Sequence, residues 1–164
     1  MEKMKQSLEI GPWTIEVDVE QTARVYELTT RGSPTDCGCE ACRNFMALSE
    51  AAFPLQFRTW LSALGVDCRK AAEVHEWSPV SEGRLTYGGW FHGVGRIVTG
   101  VLATATSLGV VQAVEARPWH AVTDTFKVIV DERRDLAFAE FGEAPVIQIE
   151  FMAELPWVLS KEAE

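Results

Sequence analysis

The chain has 164 residues, 47% of them hydrophobic and 24% charged, with a formal net charge of -9 and a pI near 4.9. That length fits one ordinary domain spanning residues 1–164, with a core that needs no disulfide staples. The acidic balance argues against a nucleic-acid or anionic-membrane surface, which needs clustered Lys and Arg to displace counterions, and leaves an unknown protein or a small molecule as the expected partner.

No apolar run follows the lysines of Met1-Glu2-Lys3-Met4-Lys5, so a secretory signal is not expected at this start. The expected compartment is the reducing cytoplasm, where clustered cysteines mean metal or redox chemistry rather than scaffold disulfides.

Along the chain, Trp13, Ile15, Val17 and Val19 alternate with polar residues, which predicts a half-buried strand over Trp13 to Val19. Arg24 to Thr30 carries Val25, Tyr26, Leu28 and two threonines, which suit a second strand ended by Gly32, Ser33 and Pro34. Glu40 to Phe53 has good helix formers and no Gly or Pro, so a helix is expected there. After Pro54, Phe57, Trp60, Leu61 and Leu64 form the apolar stripe of another helix, capped by Gly65. If Pro54 turns the chain, the two helices form a hairpin and bring Cys68 back toward the loop before Glu40.

The second half reads as mostly β. Leu85, Tyr87, Phe91 and Ile97 share one parity, and Gly88, Gly89, Gly93 and Gly95 predict a bend or bulge. Ile97 to Val114 holds eighteen residues without a charge. Its threonines and glycines favour strands broken near Gly100 and Gly109 over a membrane span. Phe126 to Asp131 and Leu136 to Phe141 read as short strands, and Ile147 to Leu155 alternates most cleanly of all. These elements predict an α+β fold, an antiparallel β-sheet or β-sandwich with an inserted α-helical hairpin at about residues 40–64.

The chemistry concentrates at Cys37, Cys39 and Cys42, three cysteines within six residues. Clustered thiolates repel one another unless a cation or a disulfide takes up the charge. Zinc needs four ligands, and Cys68 would complete a Cys37, Cys39, Cys42 and Cys68 set, with His75 in reserve. A small cytoplasmic binding or interaction module with a structural zinc is therefore one reading. A thiol–disulfide oxidoreductase using Cys39 and Cys42, or with Cys37 instead as the resolving thiol, is another, because a helix start lowers a thiol's pKa. Over about a dozen residues this layout resembles a thioredoxin-like site, but the rest of the chain does not alternate strand and helix as that fold requires. A metal-dependent enzyme with water on the ion is a third possibility, and plain burial of the cysteines as small hydrophobes is a fourth.

Tyr87, Trp90 and His92, in a glycine-rich aromatic stretch, form a possible ligand pocket with Trp119 nearby, or else a bulged strand packed into the core. Glu16, Asp18, Glu150 and Glu154 alternate with apolar residues, so a solvated face is expected for them. No dinucleotide, phosphate-loop or hydrolase signature is present.

Overall fold

The computed structural model describes residues 5–81, 83–100 and 117–159. In chain order these form β1 (Gln6–Ile10), β2 (Trp13–Val17), α1 (Val19–Leu28), α2 (Ser33–Cys37), α3 (Glu40–Leu48), a 3-10 turn (Ser49–Ala52) and α4 (Leu55–Leu64). Then follow β3 (Glu73–Ser81), β4 (Arg84–Thr99), β5 (His120–Thr123), β6 (Phe126–Asp131), a second 3-10 turn (Ala139–Phe141) and β7 (Val146–Pro156). The strands make one seven-stranded antiparallel sheet in the order β1-β2-β4-β7-β6-β5, with β3 also on β4. The α+β class with helices inserted between strands is as expected.

Strand β4 organises the sheet. Its residues from Arg84 to Val94 pair with β7 in unbroken register. On the opposite edge it is shared: β3 takes Arg84 to Trp90, and β2 takes Gly95 to Thr99. The gap between these two partners is filled by α1. Val94 N–H donates to Thr22 Oγ1 at 2.9 Å and its carbonyl accepts from Asp18 N–H at 2.9 Å. His92 N–H donates to the Tyr26 hydroxyl at 3.2 Å, and that hydroxyl donates back to the His92 carbonyl at 2.8 Å. The Thr22 and Tyr26 side chains of α1 and the backbone amide of its cap residue Asp18 thus satisfy the backbone groups a neighbouring strand would otherwise pair.

The strand expected at Arg24 to Thr30 is therefore corrected: Arg24 to Leu28 belong to α1, and Thr29 is its extended C-cap. Asp18 caps it, its carboxylate accepting from Gln21 N–H at 2.9 Å. Thr22, Val25, Tyr26 and Thr29 are buried at helical spacing. Leu136 to Phe141 is likewise not a strand; its end is the 3-10 turn whose Phe141 packs edge-on to Tyr26. The ladder to β7 passes Gly88, Gly89 and Gly93 without a register shift, so no bulge falls there, and it ends at Val94, before Gly95. A Cβ on Gly89 would lie 2.4 Å from the Glu73 carbonyl oxygen, so the glycine there permits close strand approach. Register shifts fall in the other two ladders of β4, with β3 between Glu76 and Ser81 and with β2 where Thr14 pairs with Thr99 but Ile15 with Ile97.

Between the helices and the sheet lies an aromatic core. Phe151 of β7 is within 6.2 Å, centroid to centroid, of Phe45, Phe53, Phe57, Phe91 and Phe126. All six are buried, and each such side chain withdrawn from water contributes about 1.5–3 kcal/mol. Pro54 turns the chain: Phe53 and Pro54 are extended, separating the 3-10 turn from α4. Phe57, Leu61 and Leu64 face the core as expected, while Trp60 is only partly buried at its margin. Among the described residues no helix is long and apolar enough to cross a membrane. Of the uncharged run from Ile97 to Val114, the first residues finish β4; the strands expected beyond Gly100 lie outside the described residues.

Candidate metal centre

Two short helices present the cysteines. Helix α2 begins with Pro34 near its start, suited to a position whose N–H has no helical partner, and ends at Cys37. Gly38 follows with φ 67° and ψ 8°, a left-handed conformation that reverses the chain at once. Cys39 then starts α3: its carbonyl accepts from Arg43 N–H at 2.8 Å, and its Sγ accepts from Cys42 N–H at 3.4 Å. This is the N-cap pattern with sulfur in place of oxygen. The reversal places Cys37 beside the same helix start, and the Sγ atoms of Cys37, Cys39 and Cys42 all lie within 4.8 Å of one another.

Helix α3 is bolted to the sheet next to this cluster. The Tyr87 hydroxyl donates to the Ala41 carbonyl at 2.8 Å and accepts from Asn44 Nδ2 at 3.2 Å. Asn44, fully buried, also donates to the Pro156 carbonyl at 3.1 Å and accepts from Val158 N–H at 2.7 Å. A satisfied buried network of this kind fixes one orientation. It holds the first turn of α3, and with it Cys42, on a rigid support.

The thiols differ sharply. Cys37 and Cys39 are exposed and Cys42 is buried. The Cys42 amide, first among several causes, holds the Cys39 thiol below its ordinary value by stabilising the thiolate. Burial, followed by hydrogen bonding to Cys39 and Cys37, pushes the Cys42 thiol up. One accessible, acidic sulfur thus sits beside one shielded, reluctant sulfur. All four cysteines are free thiols.

Cys68 does not join the group. The hairpin at Pro54 forms, but α4 ends in a Schellman motif, with Val66 N–H donating to the Leu61 carbonyl at 2.9 Å and Gly65 N–H to that of Ser62 at 3.0 Å. The turn that follows aims Cys68 into a separate cavity of about 370 Å³ lined by Phe45, Phe53, Arg31 and Lys70 among others. There burial, then the charges of Glu50 and Asp67, raises its thiol pKa. His75 is also elsewhere, its ring 5.1 Å from Trp77 and 5.9 Å from Trp90, and burial lowers its pKa.

The aromatic candidates do not share a pocket. Strand alternation sends Tyr87 into the helix-facing core and Trp90 and His92 to the opposite face. His92 is fully buried, its Nε2 3.0 Å from Gln148 Oε1. That oxygen also accepts from Asp135 N–H at 3.2 Å, so the His92 Nε2 carries the proton. Burial lowers the imidazole to about 4. Trp90 Nε1–H donates to the Asp135 carbonyl at 2.8 Å. Two cations lie over the Trp119 ring, Arg117 at 5.3 Å and Lys127 at 5.4 Å from its centroid.

Two of the four carboxylates expected on a solvated face are inside. Asp18 caps α1, and Glu150 is buried in a 2.9 Å ion pair with Arg117. The pairing joins residues 33 positions apart, which no local pattern announces. Comparison with known proteins finds no matching family model, no matching curated protein and no matching solved structure. The cysteine cluster can hold a metal ion, and its chemistry is read from its own geometry.

Proposed function

We propose that the chain is a small binding module in which Cys37, Cys39 and Cys42 hold a zinc ion that ties α2 to α3. The convergence of three sulfurs within 4.8 Å carries this reading. A tetrahedral ion at about 2.3 Å from each sulfur needs them about 3.8 Å apart, so side-chain adjustment of about 1 Å closes the site. Thiolates are soft ligands suited to such an ion, and a metal relieves the repulsion among them. A cytoplasmic setting and a protein or small-molecule partner fit the free thiols and acidic charge.

The test is metal analysis of protein purified without chelator, followed by zinc titration. One zinc per chain is expected, lost in Cys37→Ser and Cys42→Ser and retained in Cys68→Ser. Protein that takes up no zinc overturns the reading. Because Cys42 must give up a proton that burial holds on, zinc affinity rises with pH over the range where that thiol is protonated.

Thiol–disulfide exchange is favoured by one specific feature, the contrast between exposed Cys39 with its lowered pKa and shielded Cys42. In that reaction Cys39 thiolate attacks a substrate disulfide and releases one thiolate. Cys42, on losing its proton, then displaces the second and closes a Cys39–Cys42 disulfide. Metal-free protein that forms this disulfide reversibly supports exchange.

A further inference from the structure

Among the described residues, three cysteine and histidine donors converge, and no more. All four cysteines and all three histidines lie among the described residues. Cys68 faces its separate cavity, and His75 is held against Trp77 and Trp90. His92 is sealed beside Gln148, and His120 lies 6.4 Å, ring to ring, from both Trp13 and Trp60. None joins the three clustered sulfurs. Zinc takes four ligands, and a site with three protein ligands keeps one position for water or an incoming molecule. Here Cys37 and Cys39 are exposed, so that position is approached from solvent.

We propose that the zinc-loaded site takes an external alkyl thiol as its fourth ligand and holds it as a thiolate. This rests on the zinc reading above and adds the class of molecule the site receives. Three thiolates plus one more make the all-cysteine set common in closed zinc sites. A thiol that coordinates such an ion is deprotonated outright. In the step the thiol's S–H bond breaks and its proton passes to bulk water. A zinc–sulfur bond forms, and the water it replaces leaves; nothing is oxidised or reduced. The thiol's source is either a free small molecule or an accessible cysteine of another polypeptide, which offer the same sulfur.

The full-length chain loaded with Co²⁺ in place of zinc supplies the test, since cobalt reports its sulfur ligands by charge-transfer absorption. Titration with N-acetylcysteine is expected to raise that absorption by about one third, as three thiolates become four, and to saturate at one thiol per chain with one proton released. N-acetylserine leaves the spectrum unchanged. A blocked tripeptide with a central cysteine, binding more tightly than N-acetylcysteine, points to a polypeptide source; the reverse order points to a small thiol. No rise in absorption at millimolar thiol, or removal of cobalt by the thiol, overturns the proposal while leaving the metal reading intact. A four-thiolate spectrum before any thiol is added, falling to three in Cys68→Ser, also overturns it, because Cys68 would then be the fourth ligand. Failure of cobalt and zinc to bind at all defeats both readings.

Discussion

From Arg84 to Val94, β4 pairs with β7 at every residue and is walled by buried phenylalanines. From Cys37 to Cys39, by contrast, both cysteines are exposed and the chain is held by a 3.5 Å backbone bond from Gly38 to Pro34, a 3.4 Å N–H to sulfur contact and the 2.8 Å bond from Arg43 N–H to the Cys39 carbonyl. The first region has its energy in burial and would lose it to any cavity. The second has little packing to lose and presents its reactive atoms outward. A rigid sheet carrying a loosely tied thiol turn lets a bound ion change the order of the turn while the core stays as it is.

Truncating the centre tests that division most severely. Phe151→Ala removes a ring that meets five other phenylalanines and is expected to cost about 3–5 kcal/mol in urea melts. A loss below about 1 kcal/mol would show that the helices, rather than the sheet face, carry the core.

Acid provides the next largest effect. The His92 imidazole is held near 4 when folded, against about 6.5 when unfolded. Between those values the unfolded chain binds the extra proton, so stability from this group is present above about pH 6.5 and falls as pH drops toward 4, by about 3 kcal/mol in all. Comparing wild type with His92→Gln across that range isolates it from Asp131, whose carboxyl burial pushes up and whose contribution changes with pH in the opposite sense. Parallel pH profiles for the two proteins would mean that His92 is not buried neutral.

The smallest effect belongs to the turn. In metal-free protein, Cys37→Ser is expected to shift stability by no more than about 0.5 kcal/mol, as exposed substitutions do. With zinc at saturating concentration, the gap in melting temperature between wild type and variant should open, since ligand binding to the native state adds to its stability. An equal gap with and without zinc would make the turn structural in its own right.

The sheet was readable where neighbours along the chain decide burial: Ile147, Ile149, Phe151, Ala153 and Leu155 all face the core, as their alternation predicts. It was unreadable where burial is decided by distant partners. Thr22, Val25 and Tyr26 are β-favouring types, and the Asp18 cap together with the unpaired edge of β4, which takes Thr22 and Tyr26, makes them a helix face. Strand β3 contains Pro79 and little alternation, and it pairs because β4 is long enough to receive it. At the site, the three clustered cysteines were visible from spacing alone, since a short turn keeps them together. Cys68 was misplaced because its direction depends on how α4 ends, which a Pro54 turn does not determine.

The plugged edge of β4 also makes the strand its own reporter. The amides of His92 and Val94 donate to hydroxyls of Tyr26 and Thr22 on α1, while the next amide in the chain, Gly93, belongs to the ladder with β7. In hydrogen–deuterium exchange, undocking of α1 would release the first two without the third, so three consecutive residues separate helix detachment from opening of the whole sheet.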